Sequence, residues 1–231
     1  MKKDYVNKIF HNIANKYDLM NDLMSFGIHR KWKEEFINYI DLKKNKNVKL
    51  LDLGCGTGDI ISQINTSNKL SDYVSYLVDP NLKMIEQGQK KIKNKNNIWI
   101  NSYGEKLPFK NNSFDLITMS FSLRNVTNLK KTINEINRVL KIDGQFLCLE
   151  FGKIDNLLIN SIYKIYSENI IPKIGEKITG KKYAYEYLIN SIKKFPSQIE
   201  LKKIFKSNKF NIVNFYNLTF GLVAIYSCKK K

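Results

Sequence analysis

The sequence contains few of the residues that build disulfide frameworks or histidine-rich metal sites. Its 231 residues include three widely spaced cysteines and two histidines. An odd, dispersed set of cysteines without a C-x-x-C pair argues against a disulfide framework or a zinc knuckle. With His11 and His29 as the only histidines, a histidine-based metal centre is also disfavoured. We therefore expect that the protein needs no metal ion.

Long apolar runs are also missing. The longest, such as residues 50–54 and 116–121, have the length of a strand, whereas a membrane-spanning helix needs about 20 apolar residues. Residues 1–5 lead into an amphipathic stretch without the apolar core of a signal peptide. The sequence therefore predicts a cytoplasmic protein.

The formal net charge of +18 suggests a nucleic acid or an anionic membrane surface as a partner. However, the lysines are scattered among asparagines and isoleucines, three residue types that share A- and T-rich codons. The interleaved basic and aromatic residues of an RNA-binding surface are absent. We expect no nucleic-acid partner.

The spacing of apolar residues predicts a single α/β domain without repeats or a linker. Helical spacing over residues 4–17 and 30–40 predicts a helical N-terminal extension, 1–47, followed by two further parts, 48–152 and 153–231. Strands alternating with helices indicate a mainly parallel sheet with helices on both faces. Two closely spaced final strands must be antiparallel. The prediction is a Rossmann-like, seven-stranded sheet that ends in an antiparallel hairpin. Its strands are 48–54, 73–78, 98–102, 114–120, 144–151, 210–217 and 222–227, and its helices begin at 59, 82, 129 and 197.

A glycine loop follows the first predicted strand. Gly54, Gly56 and Gly58 give the spacing G-x-G-x-G, whereas a dinucleotide fingerprint would have its third glycine where this chain has Asp59. Asp79 ends the next strand, about 20 residues later, where a carboxylate can accept hydrogen bonds from ribose hydroxyls. Asp52 could orient the loop amides or meet an amino group of the ligand. A plain tight turn is the alternative, but the strand–loop–helix context and the following acid favour an adenosine-binding site.

The loop and two later segments resemble class I S-adenosylmethionine methyltransferases. Residues 51–59 with Asp79 are similar to the family's first motif, and residues 103–109 are similar to the loop on the adenine side of the cofactor. The resemblance implies S-adenosylmethionine as methyl donor and no metal. The cofactor-binding residues that it implies are Asp52, Gly54, Gly56, Thr57, Asp79, Tyr103, Gly104 and Ser120.

Four other segments narrow the resemblance and extend it over nearly the whole chain. Residues 14–33, 120–126, 185–196 and 216–219 resemble the UbiE-type family of ubiquinone/menaquinone biosynthesis C-methyltransferases. This implies C-methylation of a polyprenylated quinol ring, either demethylmenaquinol or the corresponding ubiquinone precursor. It also implies that residues 1–47 cover the acceptor site, that 48–152 bind the cofactor, and that 153–231 supply acceptor-side helices and the closing strands.

The candidate catalytic residues are Arg124, Asn125 and Tyr17. Arg124 lies between apolar neighbours, where an unpaired guanidinium is costly to bury, so it needs a ligand or a carboxylate partner. Because arginine stays protonated, it suits stabilisation of a quinol oxyanion better than proton abstraction. Tyr17 lies within one helical turn of Asp18 and Asn21, which indicates either a pocket wall or a capping cluster. His29 is either a proton acceptor or a structural residue.

The segment 156–180 is unusually apolar. It could belong to the core, line a pocket for a polyprenyl tail, or touch the inner face of the cell membrane as a peripheral contact. Other readings are a methyltransferase with a different acceptor and a non-catalytic scaffold subunit of a quinone-synthesis complex. A nicotinamide-dependent oxidoreductase is disfavoured by Asp59. Homodimer formation is left open by the sequence.

Overall fold

The computed structural model describes residues 2–42, 46–94 and 96–230, and its centre is one seven-stranded sheet. The strands lie in the order β3-β2-β1-β4-β5-β7-β6. Strands β1 to β5 are parallel, and β7 runs antiparallel to both of its neighbours. The predicted mainly parallel sheet with a closing antiparallel hairpin is confirmed. The strands are β1 Val48–Leu53, β2 Tyr73–Asp79, β3 Asn97–Asn101, β4 Phe114–Ser120, β5 Leu140–Phe151, β6 Ile212–Leu218 and β7 Val223–Lys229.

Helices precede the sheet, alternate with its strands and form a long insertion before α10. They are α1 Lys2–Ile13, α2 Tyr17–Ser25, α3 Ile28–Asn38, α4 Asp59–Ser67, α5 Leu82–Lys91, α6 Leu129–Val139, α7 Leu157–Ile165, α8 Ile171–Thr179, α9 Lys182–Lys194 and α10 Gln198–Ser207. Short 3₁₀ turns span Ala14–Lys16, Leu123–Asn125 and Thr219–Gly221, and a π-helical turn spans Tyr166–Ile170.

The predicted helix over residues 4–17 is wrong at its end. Helix α1 stops at Ile13, a 3₁₀ turn follows, and Tyr17 begins α2. Ile9, Ile13 and Met20 are all buried, so the apolar spacing continues across the break. Periodicity alone therefore could not locate it.

The sheet has a core on each face. Neighbouring residues of β4 show the alternation, because Leu116 packs with α3 and α4 on one face and Ile117 packs with α6 and α10 on the other. Both side chains are fully buried. This two-sided burial explains why the central strands are almost continuously apolar.

A third, smaller apolar cluster joins the two ends of the chain above the sheet. Ile9 and Ile13 of α1 and Met20 of α2 pack with Ile171 of α8 and Tyr185 of α9. Residues of these four helices line the cavities, described below, that lie at the carboxyl ends of β1 and β4. No helix in the described part of the chain is long and apolar enough to cross a membrane.

Candidate active site

The glycine loop lies where the order of the sheet reverses. Strand β1 connects outward to β2, while β4 lies on its other side, and open α/β sheets bind ligands at such a point. Gly54, Gly56 and Gly58 have φ angles of 69°, 55° and 81°, a region that glycine adopts without steric cost. A Cβ on Gly54 would lie 2.5 Å from the Ser122 side chain, whereas one on Gly56 would meet no atom within 4 Å. The loop is thus packed tightly at Gly54 and open at Gly56.

Two cavities meet at this loop. The cavity beside β2, here called the β2 cavity, is lined by Asp79, Tyr103, Gly104 and Asn125, among others. The larger cavity under α2, here called the α2 cavity, is lined by Asp52, Thr57, Arg124 and largely apolar residues. The residues that line both cavities are Tyr17, Gly54, Gly56, Ser120 and Phe121. All eleven predicted site residues therefore surround two adjoining cavities.

Two buried carboxyl groups flank the loop. Asp79 accepts hydrogen bonds from the backbone amides of Gly56 at 3.0 Å and Asn81 at 2.8 Å. Burial nevertheless raises the pKa of Asp79 to about 6, because these two amides offset only part of its lost hydration. Asp79, rather than Asp52, is thus the carboxylate that holds a loop amide.

Asp52 is the less completely paired of the two. Its Oδ1 accepts a hydrogen bond from the Thr118 hydroxyl at 2.8 Å, and its buried Oδ2 has no hydrogen-bond partner among the described residues. Burial raises the pKa of Asp52 to about 7, against the opposing effects of Thr118 and the Lys33 charge. A cationic group of a ligand would complete this site and lower that pKa.

An ion cluster joins the glycine loop to α2, α3 and α5. Lys33 Nζ donates to Asp59 Oδ2 at 2.7 Å, and Lys91 pairs with the other oxygen of Asp59 and with Asp18. The Thr57 hydroxyl donates to Asp18 at 3.0 Å. Burial would raise the pKa of Asp59, but the two ammonium groups hold it well below its usual range. Lys33 ends the segment 14–33 that resembles the family, but neither Lys33 nor Lys91 was predicted as a site residue, because lysines are common throughout the chain.

Arg124 is buried and paired with Glu150. Its Nη1 donates to Glu150 Oε1 at 2.7 Å and to the carbonyl oxygen of Phe121 at 2.6 Å. The side chain of Arg124 is 6% exposed and that of Glu150 is fully buried. The required partner is thus a carboxylate of the chain itself. The buried Nε has no hydrogen-bond partner among the described residues, so the guanidinium keeps an unused donor.

Asn125 and Tyr17 line a common cavity with Arg124. The Tyr187 hydroxyl of α9 donates to Asn125 Oδ1 at 3.1 Å, and Asn125 Nδ2 lies 3.4 Å from the Phe121 carbonyl oxygen. Burial raises the pKa of Tyr17, opposed by the charges of Lys33 and Arg124 and by a hydrogen bond with Asn21. Tyr17 therefore stays a neutral phenol at neutral pH.

His29 also lines the α2 cavity. Its Nε2 is 2.8 Å from Asp22 Oδ1, and Arg30 binds the same carboxylate with two hydrogen bonds. Burial lowers the pKa of His29 despite the Asp22 contact, so the ring is neutral at neutral pH. The buried Nδ1 has no hydrogen-bond partner in the described part of the chain. The structure thus supports a structural contact at Nε2 and leaves proton acceptance by His29 a prediction.

Besides Lys33 and Lys91, the sequence analysis missed three further polar residues of the site. Glu150 pairs with Arg124, Glu105 accepts the backbone amide of Thr127 at 2.8 Å, and Tyr187 holds Asn125. Glu150 lies in β5, where its place in a buried strand and the lone Arg124 could have suggested the pair. No group of three or more histidine, cysteine, aspartate or glutamate side chains that could hold a metal ion occurs in residues 2–42, 46–94 and 96–230.

Solved structures with the same fold include S-adenosylmethionine-dependent methyltransferases. One from Thermotoga maritima matches with a TM-score of 0.68 at 17% identity, over 98% of this chain and all of that one. The cyclase SpnF matches with the same TM-score at 12% identity, over 97% of this chain and 94% of its own. These likenesses show the Rossmann-like fold of S-adenosylmethionine-dependent methyltransferases. Because a cyclase shares it, the fold alone does not define the reaction.

The sequence comparisons define the family. The family model of the ubiE/COQ5 methyltransferase family matches residues 1–230 of this chain. The chain is also 46% identical over 240 aligned positions to a ubiquinone/menaquinone biosynthesis C-methyltransferase UbiE of Rickettsia bellii, covering 99% of this chain and 94% of that relative. This protein belongs to the ubiE/COQ5 methyltransferase family. The predicted family is confirmed.

Proposed function

We propose that this protein transfers the methyl group of S-adenosylmethionine to a ring carbon of a polyprenylated quinol. The product would serve menaquinone biosynthesis, ubiquinone biosynthesis or both. Family membership and the similarity to UbiE C-methyltransferases support the reaction class. The observation that carries the proposal is the meeting of the two cavities at Gly54, Gly56 and Ser120, because methyl transfer requires donor and acceptor to touch.

In this proposal the β2 cavity holds the adenosine of the cofactor. Asp79 would accept hydrogen bonds from the ribose hydroxyls, and Tyr103 and Gly104 would border the adenine. The open space at Gly56 lets a ligand approach the backbone closely. Asp52 Oδ2 and Ser120 Oγ, both buried without described hydrogen-bond partners, fit the polar amino-acid end of the cofactor, with Thr57 beside it. The reaction requires no metal.

The α2 cavity would hold the quinol ring. S-adenosylmethionine supplies a methyl group already activated by the sulfonium, so the protein's task is positioning and electrostatic stabilisation. Arg124, fixed by Glu150, would stabilise the quinol oxyanion through its unused Nε donor. A water molecule held by Arg124, Asn125 and Tyr17 would accept the released proton. We also propose that parts 1–47, 48–152 and 153–231 form a single domain. The first part would cover the acceptor site, the second would bind the cofactor, and the third would supply the acceptor-side helices and the closing strands.

A methyl-transfer assay tests the reaction. Purified protein would receive methyl-labelled S-adenosylmethionine and either reduced demethylmenaquinol or the reduced demethylated benzoquinol. Label on one ring would establish the enzyme and name the pathway, and label on both would indicate a shared role. Label on neither, with binding of S-adenosylhomocysteine shown by calorimetry, would contradict the acceptor and favour a different substrate or a scaffold role.

We further propose that α7 places the protein on a bilayer surface containing anionic lipid. None of the α7 residues is buried, and its large exposed side chains are Leu157, Leu158, Ile162 and Ile165. Tyr163 of α7 and Tyr166 just beyond it line the α2 cavity, so this apolar surface continues into the acceptor site. The basic chain suits an anionic surface, and a polyprenyl substrate resides in a bilayer.

Vesicle flotation tests this surface. The wild-type protein should float with phosphatidylcholine vesicles that contain phosphatidylglycerol, and Leu158→Glu with Ile162→Glu should abolish flotation. Ile199→Glu, on an equally exposed isoleucine of α10, is the matched control and should float normally. Equal flotation of all variants would contradict the docking surface. A change in sedimentation of the α7 variant without vesicles would instead assign the face to a homodimer.

A further inference from the structure

Lys33 is a buried lysine whose ammonium group is only partly used. Its side chain is 8% exposed on α3, and lysine is rarely buried to this extent unless it is paired. Asp59 is the one hydrogen-bond acceptor of its Nζ within the described residues, whereas an ammonium group can donate three hydrogen bonds. Two donors are therefore open to a ligand.

The position of Lys33 is fixed from the cofactor side of the site. Asp59 is the first residue of α4 and directly follows the glycine loop. It is also bound by Lys91, which is partly exposed and reaches Asp18 as well. Asp59 thus keeps a second cation when Lys33 engages another anion. Its carboxylate anchors Lys33 at the start of α4, in the cavity that Gly56 and Thr57 also line.

Lys33 and the Asp52 carboxylate line the same cavity next to the glycine loop and have opposite charges. Asp52 Oδ2 lacks a hydrogen-bond partner among the described residues, and its titration is influenced by the Lys33 charge. A ligand that brings a cation to Asp52 and an anion to Lys33 would satisfy both groups without adding net charge. An α-amino acid zwitterion has this chemistry, and S-adenosylmethionine carries one at the end opposite its adenosine.

Arg124, the other cation that lines this cavity, is held by a different part of the chain. Its guanidinium is bound by Glu150 and by the Phe121 carbonyl, and it adjoins Asn125 and Tyr187. The two cations are therefore anchored to different elements, Lys33 to the start of α4 and Arg124 to β5. This separation suits one anion on the cofactor and one developing on the acceptor.

We propose that Lys33 is the counter-ion of the cofactor's α-carboxylate and that Asp59 holds its ammonium group in place. The proposal rests on the cofactor assignment made above. It also gives Asp59 a function. Asp59 stands where a dinucleotide loop has its third glycine, and its carboxylate would position the Lys33 ammonium group for the amino-acid end of the cofactor. Lys33 would thus contribute to selection between cofactors that carry and lack this carboxylate.

Calorimetric titration with two ligands tests the proposal. S-adenosylhomocysteine and its decarboxylated analogue differ only in the α-carboxylate, so the ratio of their affinities isolates that group. Lys33→Met should weaken S-adenosylhomocysteine at least about tenfold, as expected for a lost charge-assisted hydrogen bond. Binding of the decarboxylated analogue should change by less than about threefold, so the affinity ratio should collapse toward one.

Two further variants control for charge and for folding. Lys31→Met removes an exposed lysine of the same helix, which lines neither cavity, and should leave the affinity ratio unchanged. Lys33→Arg keeps the charge and should retain most of the preference, even if Lys33→Met lowers the melting temperature. Equal weakening of both ligands by Lys33→Met, or no weakening of either, would overturn the proposal. Wild-type protein that binds neither ligand would instead overturn the cofactor assignment on which it rests.

Discussion

The two cavities are walled by very different structures. The β2 cavity and the glycine loop are built on the ends of β1, β2 and β4, most of whose residues are buried. The α2 cavity is closed by helices from both ends of the chain, and of these α7 has no buried residue and α9 has only Ala184 and Tyr185. The β2 cavity, the proposed donor site, thus has a sheet as its base, while the α2 cavity, the proposed acceptor site, has a wall that includes loosely buried helices.

This difference suits the two proposed ligands, the cofactor and the polyprenylated quinol. A cofactor of fixed shape needs loop amides and carboxylates at set positions, and strand ends at the centre of a packed sheet provide them. A polyprenylated ring needs an apolar passage, which weakly packed helices can form with little cost in core stability. Three predictions would break or sharpen the contrast.

The largest expected effect is on stability and distinguishes the two walls directly. Ile117→Ala in β4 removes a fully buried side chain and should lower the free energy of unfolding by about 2–5 kcal/mol. Ile162→Ala in α7, where the side chain is 62% exposed, should change it by less than about 0.5 kcal/mol. Urea denaturation followed by circular dichroism measures both. Equal losses would show that α7 is covered in solution.

The next effect is on turnover. Replacing Arg124 and Glu150 together by glutamine removes the buried pair without stranding either charge. Loss of oxyanion stabilisation should lower kcat about 100- to 1000-fold, while S-adenosylhomocysteine affinity should change less than about threefold. Glu150→Gln alone keeps the guanidinium charge and should lose less activity. A double variant with wild-type kcat would exclude Arg124 from the chemistry.

The smallest effect is the pH dependence of cofactor binding. The pKa of Asp52 is about 7 and that of Asp79 about 6 in the free protein, and both carboxylates must be ionised to accept the ligand's donors. Below these values binding must expel protons, so affinity for S-adenosylhomocysteine should rise with pH, by up to about tenfold per unit for one proton, and level off above pH about 8.

Calorimetry in buffers of different ionisation enthalpy would count the protons released in that range. Asp52→Asn should remove the upper part of the dependence and leave the part near pH 6. A flat affinity between pH 5 and 8 would mean that neither carboxylate faces the cofactor.

The contrast between the two walls also explains what the sequence could predict. The seven strands and the glycine loop were found because buried parallel strands are apolar runs bounded by turns, and because a glycine loop and a following acid at strand ends are typical of ligand sites in open α/β sheets. The break between α1 and α2 was missed, since Ile13 and Met20 continue one apolar stripe across the turn at Ala14–Lys16.

The ion pairs of the site were not identified from the sequence. Arg124, in the 3₁₀ turn after β4, was recognised as needing an anion, but its partner Glu150 lies 26 residues later in β5. Lys33 and Asp59 are likewise 26 residues apart. Such pairs form only when parallel strands and the helices beside them are placed in space, and a lysine-rich chain offers many equivalent candidates. The roles of the eleven predicted site residues stay predictions, although all of them surround the two cavities.

The apolar cluster shared by α1, α2, α8 and α9 also sets an order of assembly. Asn12 donates a hydrogen bond to the Tyr183 hydroxyl across a separation of 171 residues. During synthesis the first helices therefore leave the ribosome long before the helices against which they pack, while β1 to β4 already have their neighbours. The helical wall of the α2 cavity is completed after the glycine loop, so a newly made chain forms the loop before this cavity is closed.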